Sequence, residues 1–106
     1  MTGATVITYA LLVLAGALLC NCIPHLAAGL RGEAFPTPLA APPGKGLSSP
    51  VLNFLWGAAN LSLGLWLLAP LAEADPRWGR LAVAAGFVGI GIYLSRHFAS
   101  VDKERQ

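Results

Sequence analysis

Residues 1–30 read MTGATVITYALLVLAGALLCNCIPHLAAGL, and no Asp, Glu, Lys or Arg interrupts them. A bilayer core about 30 Å thick takes roughly 20 apolar residues of helix. This one run is therefore long enough to cross it. Working outward along the chain, the pattern repeats. Residues 46–72 hold no charged side chain, and residues 81–95 hold none. The last run is shorter, but Arg80 and Arg96 flank it. Their stems can lie along a helix while their charges reach the two surfaces. Of the 106 residues, 11% are charged and 56% are hydrophobic, whereas a soluble domain carries about a quarter charged residues. The expected fold is all-α: three transmembrane helices bundled in one membrane domain over residues 1–106.

Breakers and caps divide that domain. Helix 1 is predicted over about residues 5–26. Pro24 lacks an N–H and crowds the carbonyl of Cys20, so a kink or an end is expected there, with residues 27–30 adding at most an interfacial turn. Residues 31–49 contain Pro36, Pro38, Pro42 and Pro43 with Gly32, Gly44 and Gly46. They predict a loop of turns and polyproline II, held to the bundle by the apolar side chains Phe35, Leu39 and Leu47. Ser49 is a natural N-cap and Pro50 suits the first helical position, so helix 2 is expected over about 50–69, ending at Pro70. Asp75 and Pro76 repeat that grammar, and helix 3 is expected over about 76–98, followed by a charged tail at 99–106. Trp66 and Trp78 suit the membrane interfaces.

The charge balance excludes some functions. A net charge of +2 with no basic stripe gives nucleic acid nothing to bind. The lipid bilayer is the expected partner. The N-terminal run has no basic n-region and is too long for a secretory signal, so it reads as a retained helix. Cys20 and Cys22 are two apart and point in different directions on a helix, which disfavours a mutual disulfide.

Three crossings place the N-terminus and the second loop on one side, with Arg77 and Arg80. The first loop and the C-terminus share the other side, with Arg31, Lys45, Arg96, Lys103 and Arg105. The basic excess orients the proline-rich loop and the C-terminus to the cytoplasm, with the N-terminus outside.

That topology brings chemistry-bearing residues to one depth. Asn21 and His25 lie four apart on helix 1, level with Asn53 on helix 2 and with Tyr93, Arg96 and His97 on helix 3. A polar cluster at the cytoplasmic end is expected, with His25 within hydrogen-bond reach of Asn53 or of the loop backbone. The plainer reading of such a cluster is that its members cap helix ends and bond between helices. Neither histidine lies in a pattern with ligand spacing, so no metal and no cofactor is expected. Along helix 2, Asn53, Gly57, Asn60 and Gly64 recur at offsets of four, three and four. Together with Ala82, Gly86 and Gly89 of helix 3 they predict a packing seam. Self-association through these seams is expected. Lys45, Ser48 and Ser49 precede helix 2 and are candidates to hold an anion or a lipid headgroup.

The stretch FPTPLAAPPGKGLSSP (residues 35–50), preceded by NCIPH (21–25) and followed by NFLWG (53–57), resembles a pattern in short uncharacterised bacterial membrane proteins with three helices. The resemblance covers roughly residues 21–60. It implies a bacterial inner (plasma) membrane and no particular substrate. Three readings of function follow: a structural or accessory membrane protein, a subunit of a homo-oligomeric transporter or channel for a small molecule or lipid, and a membrane enzyme using His25 as base. The crossings contain no Asp or Glu, which disfavours proton coupling through a carboxylate. No nucleophile or carboxylate completes a catalytic set with His25.

Overall fold

The computed structural model describes residues 3–105. Three long apolar helices pack together: α1 (Gly3–Leu30), α2 (Pro50–Trp66) and α3 (Pro76–Arg105). A small antiparallel hairpin, β1 (Phe35–Pro36) and β2 (Leu47–Ser48), joins α1 to α2. With the short 3-10 turn Ala69–Ala72 added to α2, the chain has three helices long and apolar enough to cross a membrane, with mean hydropathies of 2.3, 1.5 and 1.4. Such helices imply contact with a lipid bilayer.

Helix ends follow local chemistry, with three departures from expectation. α1 runs through Pro24 to Leu30, one turn beyond the expected end. Proline removes one hydrogen bond, but in an apolar setting the surrounding backbone has no better partner than its own helix. The true stop is Gly32, whose φ of 71° is a left-handed conformation suited to glycine. The Glu33 N–H donates to Ala28 O at 2.9 Å and the Gly32 N–H to Gly29 O at 3.1 Å, which together satisfy the last carbonyls. α2 ends at Trp66, and the residues around Pro70 tighten into the 3-10 turn. α3 continues through the expected tail to Arg105. The reason is packing: Val101 in that tail is buried. Lys103 and Arg105 also complement the negative end of the helix dipole. Gln106, the last residue of that expected tail, lies outside the described residues.

The two expected helix starts carry their caps. Ser49 Oγ accepts from the Leu52 N–H at 3.1 Å, and Asp75 Oδ1 accepts from the Arg77 N–H at 3.0 Å.

α1 is the central helix. It packs against both α2 and α3, which barely touch each other. Small residues allow the close approach. A Cβ on Gly86 would overlap the Val13 carbonyl, and one on Gly16 would overlap the Val83 carbonyl. Nothing in the sequence pattern singled out Gly16. On the α2 side, a Cβ on Gly57 would sit 2.8 Å from Leu26 Cγ and one on Gly64 3.0 Å from Leu19 Cδ2. The buried residues of α2 are Asn53, Gly57, Asn60 and Gly64, the stripe read from the sequence. The stripe faces α1 of the same chain, so the expected self-association through Gly57 and Gly86 has no free surface at those residues. Of the other seam candidates, Ala82 is half-buried and Gly89 is exposed with nothing within 4 Å of a Cβ built on it.

Candidate functional site

The polar residues gather where the hairpin meets the helix ends. Asn53 begins α2 and is fully buried. Its Nδ2 lies 3.0 Å from Phe35 O, 3.1 Å from Ser48 O and 3.1 Å from Ser49 O. Those three carbonyls can only accept, so this atom is the amide nitrogen. Asn53 Oδ1 therefore faces His25, 2.9 Å from Nδ1. An oxygen acceptor requires Nδ1 to carry the proton and donate. The neutral ring is thereby set in one tautomer, with Nε2 left as an acceptor.

The hairpin is ordered by the same centre. Thr37 Oγ1 and Ser48 Oγ lie 2.6 Å apart, both buried. Thr37 O accepts from the Ala40 N–H at 3.2 Å and the Gly44 N–H at 2.9 Å. Gly44 sits at φ 75°. The loop is a compact structure, because its turns satisfy their own backbone groups. Phe35 at the start of β1 packs on Phe98 of α3 with ring centroids 4.7 Å apart, and on the edge of His25 at 5.6 Å.

α3 holds the hairpin from the other side. His97 Nε2 lies 2.7 Å from Gly44 O. The carbonyl accepts, so Nε2 donates. Arg105 Nη2 donates to Lys45 O, and Lys45 Nζ pairs with Glu104 at 3.5 Å. Tyr93 stacks on His97, with centroids 5.9 Å apart and planes within 8°.

The remaining candidates fall in different places. Asn21 lies one turn deeper than His25 and donates from Nδ2 to Asn60 Oδ1 at 3.0 Å. Asn60 Nδ2 in turn donates to Trp56 O at 2.8 Å. Asn21 thus belongs to the α1–α2 seam. Arg96 is exposed and does not join the cluster. Lys45, Ser48 and Ser49 form no common anion pocket. Ser48 Oγ bonds to Thr37, Ser49 Oγ caps α2, and the Lys45 amine is with Glu104. The Ser49 hydroxyl is in use as the cap, accepting from the Leu52 N–H. Cys20 and Cys22 are free thiols, and Cys22 Sγ donates to Leu19 O at 3.0 Å. Among the described residues, no three His, Cys, Asp or Glu side chains come together to hold a metal.

Residues that the sequence reading did not place in the cluster complete it: Phe35, Thr37 and Phe98. Phe35 and the prolines carried an apolar signal. Nothing local marked Thr37 or Phe98.

Because α2 and α3 stand apart, a groove is left between them, floored by α1 and roofed by the hairpin. It encloses a half-open cavity of about 410 Å³. Leu14, Leu18, Asn21 and His25 line it from one face of α1, with Trp56 and Tyr93 on the two flanks. No Asp, Glu, Lys or Arg lines it. Trp56 Nε1 is buried and has no hydrogen-bond partner among the described residues.

Comparison with protein families, curated proteins and solved structures finds no match to this chain.

Proposed function

We propose that the chain is a small accessory protein of a bacterial inner membrane, in which the polar cluster is a structural clamp that holds an ordered hairpin on the cytoplasmic face. The saturation of Asn53 carries this reading. Each hydrogen-bonding atom of its amide that faces the bundle is engaged, to His25 on one side and to three backbone carbonyls on the other. A side chain so occupied positions structure. It has no capacity left for a passing solute. The transporter reading loses support for the same reason, since Asn60 is paired with Asn21.

Two further points support the setting. Five basic residues lie on the hairpin and the helix ends next to it, against two at the other end, which favours a cytoplasmic hairpin and an outside N-terminus. The resemblance over residues 21–60 supports a bacterial membrane. In this proposal, association with a second copy or a larger membrane partner runs over the outer face of α3, where Gly89 has open space.

His25 variants test the clamp. His25→Ala leaves the Asn53 carbonyl oxygen buried without a donor, at a cost of about 1–3 kcal/mol. His25→Gln retains a donor and should recover part of the loss. Thermal unfolding in detergent measures both. A His25→Ala protein as stable as the unmodified one would sink the clamp.

A further inference from the structure

α3 is the helix least covered by the rest of the chain. Of its most apolar 18-residue stretch 6% is buried inside the molecule, against 22% for each of the other two helices. Gly89, Ile92, Tyr93, Arg96, His97 and Ser100 of α3 line one open cleft of about 510 Å³. Counted from Gly89 they stand at offsets of three, four, seven, eight and eleven, which is one face of a helix. Gly89 is the floor, since nothing lies within 4 Å of a Cβ built on it. Tyr93 is a fixed wall. Its ring stacks on His97, and His97 Nε2 in turn donates to Gly44 O of the hairpin. The hairpin thus holds the wall of a cleft that it does not itself line.

Charge decides what the cleft takes. The hairpin and the helix ends beside it carry Arg31, Lys45, Arg96, Lys103 and Arg105 against Glu33, Asp102 and Glu104. Glu33 offsets Arg31, and Glu104 offsets Lys45. Arg96 is exposed and forms no ion pair among the described residues. It is the first charge after the charge-free run 81–95, so its guanidinium stands at the edge of the hydrocarbon. Lys103 lies on the same face, seven residues farther out and about 10 Å along the axis. The cleft is therefore apolar at Gly89 and Ile92 and cationic above them. An anionic phospholipid has its parts in that order, chain below and phosphate above, and a guanidinium is well matched to phosphate oxygens. A second copy in the same membrane orientation would set Arg96 against Arg96, so the charge favours a lipid here over a bare second copy.

We propose that the Gly89–Ser100 face of α3 binds one anionic phospholipid, with its phosphate on Arg96 and an acyl chain passing Ile92 into the space at Gly89. Net charge is what selects the lipid. Phosphatidylcholine carries the same phosphate, but its ammonium group cancels the charge. One basic side chain near a membrane surface gives about a fivefold preference for an anionic lipid. The ordered hairpin then has a consequence outside the clamp: through His97 it keeps Tyr93 in place beside the lipid.

The test counts retained lipids. The protein is placed in nanodiscs with equal amounts of phosphatidylglycerol and phosphatidylcholine of the same chains, and native mass spectrometry reads what it keeps on release. The unmodified protein should keep phosphatidylglycerol over phosphatidylcholine by about fivefold. Arg96→Gln should remove that preference. Arg77→Gln makes the same change in net charge at the other end of α3 and should leave it. Gly89→Leu fills the floor of the cleft and should weaken retention of phosphatidylglycerol; with open space around Gly89 the added side chain has nothing to clash with. Equal retention of the two lipids by the unmodified protein would overturn the proposal. So would equal losses from Arg96→Gln and Arg77→Gln, which would mean bulk charge without a site. Displacement of the lipid by inorganic phosphate would give Arg96 to a free anion, and a lipid-free dimer broken by Gly89→Leu would give the face to a second copy; either result overturns the lipid site.

Discussion

His25 Nδ1 and Asn53 Oδ1 lie 2.9 Å apart, 28 residues apart in sequence, and both side chains are buried. That bond ties α1 to the first turn of α2, and the same amide ties α2 to the hairpin. Replacing Asn53 should therefore cost more than replacing His25. Asn53→Ala strands the His25 N–H and removes the amide donor from Phe35 O and Ser48 O, while Ser49 O keeps its bond from the backbone N–H of residue 53. We expect about 2–4 kcal/mol, from more than one unsatisfied group at about 1–3 kcal/mol each. Asn53→Asp should be worse than Ala, because a carboxylate oxygen then faces three carbonyl oxygens. Unfolding in a detergent series gives the order, and an Asp variant more stable than the Ala variant would contradict this assignment of the amide.

Glycines of α3 should separate by position. Gly86→Ala forces a methyl into the Val13 carbonyl and should destabilise by about 1–3 kcal/mol through overpacking. Gly89→Ala meets nothing within 4 Å, and its helix propensity should make it neutral or stabilising by up to about 1 kcal/mol. Gly16→Ala should behave like Gly86→Ala, since it meets the Val83 carbonyl from the facing helix. Equal effects at residues 86 and 89 would mean that α1 and α3 are not in this contact.

Orientation is checked with reporters. An enzyme that works only in the cytoplasm, fused after Gln106, should be active. The same enzyme inserted in the turn at residues 73–75 should be silent. The opposite pair of results would reverse the topology.

On the two sides of the glycine cap of α1, Arg31 and Glu33 form an exposed pair at 3.0 Å. The hydrogen bond and charge of Arg31 hold the Glu33 carboxyl below its ordinary range. A lowered carboxylate contributes stability that is present above its unfolded value and is lost as pH falls through its folded value. Both side chains are solvated, so the contribution is small. Arg31→Ala should move the Glu33 midpoint upward in an NMR titration. An unchanged midpoint would remove the pair from the solution structure.

Three long apolar helices, their order and two of their starts were legible in the sequence alone. In lipid a helix satisfies its own backbone, so charge-free length and local caps such as Ser49–Pro50 and Asp75–Pro76 are sufficient to mark it. The buried stripe of α2 was legible too, because residues at offsets of three and four must share a face. What the tertiary structure decided is which neighbour each face meets. That α1 is central, that Gly16 and Gly86 admit the backbones of α1 and α3 to each other, and that α2 and α3 leave a groove depend on pairings across the chain that no local spacing encodes. The hairpin is the clearest case. Its prolines and glycines announced turns, but its order comes from Asn53 in the first turn of the next helix and from His97 and Arg105, which are distant in sequence and reach it only once α3 has packed. The tail of α3 obeyed the same rule: its charges suggested an end, and the burial of Val101 with the docking of Arg105 on Lys45 O carried the helix on.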